Sequence, residues 1–293
     1  MASLRAARAL KPLSLALLVS QAAIVVTGGA VRLTGSGLGC PTWPECTPGS
    51  YFPVENQVEG TFHSWIEFGN RLLTFVLVIF ALATLIAVLR SGRKDLRILA
   101  AGQFLGIFGQ GVLGGITVLT DLNPLTVASH FLLSIVLIAG ATSLHSRRKG
   151  PAAKTGASGV ISNYSKFHLT WTALVIVLGT IVTAAGPHAG DSDVPRLDVA
   201  MQDVARMHSI SVILLMLLTI AFYRRSELTA LTKHRIGIFF LISIAQGALG
   251  YIQYFLGVPE LLVGLHILGT TLVWIGAWRI WLSVQFRAKE MAL

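Results

Sequence analysis

Four polar positions set in apolar segments pair up across the two halves of this 293-residue chain: Asn70 and His130 in the first half, His208 and His266 in the second. The residues around them repeat. Gln110-Gly111-Val112-Leu113-Gly114 stands twenty residues before His130, and Gln246-Gly247-Ala248-Leu249-Gly250 stands twenty residues before His266. Both elements recur at an offset of 136. An ionisable side chain at membrane depth is costly and points to function by default. Two imidazoles at one depth on paired helices suit the axial positions of a heme iron held between them. The blander reading is a pair of hydrogen-bonded core histidines. A heme closed on both axial sides transfers electrons and has no open coordination position for oxygen chemistry. The second copy carries His at both positions and the first carries Asn70 with His130, so function is expected to divide between the copies.

The first copy holds a further group. His63, Glu67, Asn70 and Arg71 fall at i, i+4, i+7 and i+8, which places them on one helical stripe. The repeat partner of Glu67 is Ala205, so the acid occurs in one copy only. A carboxylate at the membrane boundary suits proton handling or charge stabilisation; its simpler role is a helix-start acid favoured by the helix dipole. Arg32, Arg71, Arg196 and Arg206 sit near these positions, and a guanidinium binds carboxylates in a fork, so all four are candidates for heme propionates. The alternative for each is snorkelling to the interface.

The elements that must position these groups are membrane helices. The chain is 54% hydrophobic and only 12% charged, with long apolar runs divided by short charged loops, as in an integral membrane protein. Eight stretches reach the roughly 20 residues that cross a hydrocarbon core: 12–31, 65–90, 96–119, 124–144, 167–185, 202–222, 235–256 and 259–283. The first stretch follows Arg5, Arg8 and Lys11 in the manner of a signal peptide. Its continuation through Gly28-Gly29-Ala30-Val31-Arg32 favours a retained helix. A polar, Gly-rich, basic segment at 146–166 separates 1–145 from 167–293 as a flexible linker. Four spans per half give both halves one orientation, hence an all-α polytopic fold of two parallel-repeat four-helix bundles.

With the amino terminus inside, every Lys and Arg except Arg32, Arg71, Arg196 and Arg206 lies on the inner side, so both termini are expected in the cytoplasm of the cell membrane. The net charge of +10 thus reflects topology and not a nucleic-acid partner. Two outer loops, 32–64 and 186–201, are long enough to cap a site opening outward. Glycines at 102, 106, 109, 111, 264 and 276 read as close helix packing. His145, His168, His188 and His234 receive no role. The only cysteines, Cys40 and Cys46, fall in the first outer loop. A disulfide is the favoured reading in an oxidising compartment, with two free thiols as the alternative. No phosphate-binding loop, dinucleotide fingerprint or zinc-type cysteine array is present.

Val-Val-Thr-Gly-Gly-Ala-Val-Arg-Leu-Thr-Gly-Ser-Gly-Leu-Gly-Cys-Pro-Thr-Trp-Pro-Glu-Cys (25–46), followed by Trp-Ile-Glu-Phe-Gly-Asn-Arg-Leu (65–72), resembles the heme A synthase family. The eight-helix, two-half layout extends the likeness over nearly the whole chain. The resemblance implies oxidation of the C8 methyl of heme O to a formyl group, giving heme A for terminal oxidases. It implies a heme b in the carboxyl-terminal half on His208 and His266, and heme O in the amino-terminal half with His130 matching a family ligand. Glu67 matches the acid that the family needs, and Cys40 with Cys46 matches its outer-loop cysteine pair. Pathway order suggests heme O synthase as a partner; the sequence names no electron acceptor. One departure stands out. The family commonly has His three residues after the acid, where this chain has Asn70. His63 on the same stripe is one substitute ligand; the other arrangement has His130 binding alone.

Two rival classes remain. A di-heme b-type electron carrier would want paired histidines in both copies and has no use for a single-copy Glu67. A transporter suits parallel repeats but does not require four matched positions at one depth.

Overall fold

Apolar runs of this length have one low-energy backbone in lipid, the helix, because every peptide group must find its partner within the segment. The computed structural model describes residues 2–150 and 156–286 and builds them almost wholly from eight helices. These are α1 (Ala2–Leu33), α2 (Thr61–Arg90), α3 (Arg97–Leu119), α4 (Pro124–Ser146), α5 (Gly159–Ala185), α6 (Met201–Tyr223), α7 (Ala230–Phe255) and α8 (Glu260–Gln285). Among the described residues the only β-type pairing is an isolated bridge, Thr47 with Ser50. All eight helices are long and apolar enough to span a membrane, and only 11–39% of their most apolar windows is buried inside the protein. The remaining apolar surface, including Phe75, Ile79, Leu105 and Leu217, is satisfied by lipid. The protein is a multi-pass membrane protein.

The first four helices close on one another: α1 packs on α2 and α4, and α3 on α2 and α4. The last four repeat the pattern, with α5 on α6 and α8, and α7 on α6 and α8. The halves meet where α8 touches α1 and α4 and where α4 touches α5. A core of Val25, Ile135, Ile138, Ala139, Ile176 and Trp274 fills that seam. Two indoles bind across it, Trp274 Nε1 donating to Ile135 O at 2.8 Å and Trp278 Nε1 to Ser143 Oγ at 2.7 Å. Such bonds have no competing water in the bilayer interior.

Four helices start well before their apolar runs. α1 extends back through its basic turn, α2 begins at Thr61 and not at 65, α5 at Gly159 and not at 167, and α7 at Ala230 and not at 235. Hydropathy registers only the part of a helix that lies in hydrocarbon, whereas the cap decides where the helix begins. Ser158 accepts from Ile161 N for α5, and Thr229 accepts from Thr232 N for α7. The predicted linker 146–166 is therefore helical over its last eight residues. Residues 151–155 with Lys154, and the basic Arg287 and Lys289, lie outside the described residues. Two connections are tight: 120–123, where Asp121 and Leu122 have positive φ and Asn123 caps α4, and 256–259.

Candidate functional site

Asn70, His130, His208 and His266 all line one cavity of about 1240 Å3 that runs through both halves. This exceeds the ~300–1,000 Å3 usual for a drug-sized ligand, which leaves room for more than one large planar group. The wall is mostly apolar, and its polar groups are few: Glu67, Arg71, Gln110, Gln246 and the four paired positions among them.

Each paired position rests on a glycine of a neighbouring helix. A Cβ on Gly114 would stand 3.2 Å from His130 Cε1, one on Gly179 3.1 Å from His208 Cε1, and one on Gly250 3.1 Å from His266 Cε1. Gly28 faces Asn70 Nδ2 at 3.9 Å in the same manner. The repeated Gln-Gly motif now has a physical meaning. Gln110 Nε2 donates to His130 O at 3.2 Å and Ser134 Oγ at 2.6 Å; Gln246 Nε2 donates to His266 O at 2.6 Å and Thr270 Oγ1 at 3.3 Å. One turn after each glutamine comes the glycine that admits the imidazole. The glycine directly after each, Gly111 or Gly247, lines the cavity with nothing within 4 Å of where its Cβ would be. Gly106 and Gly276 do pack against neighbouring helices, on Leu137 and Phe239, whereas Gly102 and Gly111 face open space.

The ring nitrogens of the three cavity histidines differ in their surroundings. His208 Nδ1 is engaged with Val175 O at 3.0 Å, which leaves Nε2 to ligate. His130 and His266 have Nδ1 buried without a partner. His168, by contrast, is a packing histidine: fully buried, bound to Thr219 Oγ1 at 3.1 Å and edge-on to Phe239.

Glu67 is buried, and both of its oxygens are held. Oε2 accepts from Cys40 N at 2.6 Å, and Oε1 pairs with Arg71 Nη2 at 2.5 Å and Nε at 3.1 Å. Arg71 continues into the outer loop, where Nη2 donates to Cys40 O at 2.7 Å and Nη1 to Thr42 O and Glu45 O at 3.1 Å each. These contacts engage all the donors of a guanidinium. Cys40 and Cys46 are joined in a disulfide and fully buried. The loop they close places Trp43 and Pro44 on the cavity wall, and the segment after it adds Tyr51 and Phe52.

Trp43 was not singled out by sequence, and its partner explains it. A Cβ on Gly115 would collide with the indole. The position 136 residues on is Tyr251, whose hydroxyl bonds Ser209 Oγ at 2.6 Å. The second half thus closes that place with its own helix, and the first half with a side chain from a loop. Thr27 is another site residue that only the structure exposes, since its hydroxyl donates to Asn70 Oδ1 at 2.8 Å.

The remaining candidates lie apart. His63 is outside the cavity, bonded through Nδ1 to Ser36 Oγ at 2.9 Å, in a depression with Glu59 and Asp191. Arg32 lines the cavity, but its guanidinium donates to Thr183 O at 2.6 Å and to His188 O. Arg196 reaches Pro187 O at 2.8 Å, within its own loop. Arg206 lines the cavity with a side chain 77% exposed and a single long ion pair to Asp203 at 3.5 Å, so of the four arginines it is the one free to meet a propionate.

Heme fits this site: unpartnered imidazole nitrogens, a glycine cradle at Gly111 and Gly247, and sufficient volume occur together on one wall. Fold and site define a multi-pass membrane protein with a histidine-walled cavity large enough for heme. Residues 12–195 match the COX15-CtaA family, described as cytochrome oxidase assembly protein. The chain belongs to this family. It is 31% identical over 110 residues to a heme A synthase of Geobacillus kaustophilus, covering 36% of this chain and 32% of that protein. It is 30% identical over 146 residues to the heme A synthase of Geobacillus thermodenitrificans (46% and 43%), and 30% over 169 residues to that of Exiguobacterium sibiricum (56% and 55%). The matched stretches thus span from a third to a little over half of these relatives' lengths.

Proposed function

We propose that the protein is a heme A synthase, oxidising the C8 methyl of heme O to a formyl group. The observation that carries this reading is the unequal pair of sites on one cavity: two glycine-backed histidines in the second half, against His130, Asn70 and a buried Glu67 in the first. The amino-terminal half, 1–145, is the substrate half; 167–293 is the heme b half; 146–166 joins them on the cytoplasmic side, where both termini also lie. His208 and His266 hold heme b, and Arg206 meets a propionate. When bound, a heme with both axial positions taken by imidazole supplies one-electron transfer. His130 binds the substrate iron. Glu67 presents a fixed carboxylate to the cavity, where it would stabilise positive charge that develops beside the methyl. Arg71 and the Cys40 N–H keep that carboxylate in place, so the disulfide loop acts as a positioning element for it. Heme O synthase is the natural donor of the substrate.

The rival electron-carrier reading gives Glu67 nothing to do, and Ala205 stands at its repeat position. Glu67→Gln separates the two. With purified protein, heme O and a reductant–oxygen system, formation of hydroxylated and formyl hemes is followed by chromatography. Loss of product with the heme b spectrum retained is expected. Product formation at the parental rate would overturn the assignment.

A further inference from the structure

Asn70 occupies the place of an axial histidine, and the surrounding residues hold it as an asparagine. Its carboxamide lines the cavity above Gly28, as His208 does above Gly179. Thr27 Oγ1 lies 3.2 Å from Ile24 O and 2.8 Å from Asn70 Oδ1, and its one proton, given to the nearer acceptor, takes the carbonyl end. The corresponding residue in α5, one before Gly179, is Leu178, which has no hydroxyl to offer. Asn70 Nδ2 has no hydrogen-bond partner among the described residues. An amide nitrogen is delocalised into its carbonyl and is a donor of hydrogen bonds, not of an electron pair to iron. The other histidine of the stripe, His63, is turned to Ser36 outside the cavity.

We infer that the first half is a binding site for a small exogenous ligand, water or a diatomic molecule, on the face of the substrate heme opposite His130, with Asn70 Nδ2 donating a hydrogen bond to that ligand. This rests on the reading that the first half binds heme. Thr27 is the positioning residue: by fixing Oδ1 it presents the N–H2 end. The two halves then differ in kind. The second closes its iron with two imidazoles, whereas the first leaves one side to a ligand from solution, next to Glu67.

Carbon monoxide tests this on the heme-loaded, reduced protein. One of the two hemes is expected to give a carbon monoxide difference spectrum, and the ferric protein a high-spin resonance from the same site. Asn70→His should abolish both and leave two low-spin hemes. Asn70→Ala should keep carbon monoxide binding and raise the C–O stretching frequency, since the donor is gone. His266→Ala serves as the positive control by opening the second half to the gas. If extraction finds two hemes and neither reacts, the inference is wrong while the heme-binding reading stands. If extraction finds heme only where His208 and His266 are intact, and His130→Ala changes nothing, the reading beneath it is wrong.

Discussion

His208, His266 and His130 share a mode of burial yet differ in what completes their site. Each ring lies on a glycine, which holds the imidazole plane against a neighbouring helix and limits its rotamers. Axial ligation then needs little reordering of the side chains. His208→Ala and His266→Ala are each expected to remove the low-spin heme b bands from the reduced spectrum. His130→Ala should spare those bands and lower the heme O or heme A recovered by extraction. Retention of the low-spin heme b bands after loss of either second-half histidine would contradict the ligand pair. The four positions were legible in sequence because duplication marks them: Asn70 with His208, 138 residues apart, and His130 with His266, 136 apart and each behind a repeated Gln-Gly, stand out in apolar surroundings. The arginines were misleading for a physical reason. Charge and location make Arg32, Arg71 and Arg196 look available for propionates, yet loop carbonyls are equally good acceptors. Which acceptor wins depends on how Cys40–Glu45 and Thr183–His188 fold over the helix ends. Thr27 gave no signal, because a threonine in a membrane helix ordinarily bonds its own backbone.

Among the elements, α3 and α7 do the same work through the same spacing. Glutamine ties the carbonyl of the cavity histidine on the next helix, the following glycine opens the cavity wall, and the glycine after one turn admits the ring. Two substitutions on α7 should therefore separate packing from binding. Gly250→Ala places a methyl 3.1 Å from His266 Cε1, an overpacking expected to cost about 1–3 kcal/mol and to lower thermal stability with or without heme. Gly247→Leu projects into open cavity space, so the heme-free protein should unfold at its parental temperature while heme b occupancy falls. Equal behaviour of the two variants would rule out a cradle at Gly247. The existence of all eight helices followed from apolar length. Their starts did not, because the early turns of α5 and α7 are polar and are set by Ser158 and Thr229, whose capping depends on local backbone geometry.

Across the whole molecule, the two long loops, 34–60 and 186–200, tie the halves together at one end of the cavity. Gly37 N donates to Gly190 O at 2.9 Å, and Arg32 crosses from α1 to the second loop; within the second half, His188 Nε2 donates to Val258 O at 2.7 Å. With the indole bonds of α8 on the seam, these contacts make one body around a single cavity, which suits transfer between two sites. The long loops were recognised in sequence as caps; that one bears Trp43 over Gly115 was not, since the contact joins residues far apart in the chain. The central claim, that the halves hold two different hemes for two different purposes, is tested most directly by one preparation. The reduced-minus-oxidised spectrum of the purified protein is recorded, and the hemes extracted from the same sample are separated by chromatography. Heme b together with heme O or heme A is predicted. Heme b alone, in protein made with ample heme O, would contradict a substrate site in the first half, and protein free of heme would contradict both sites.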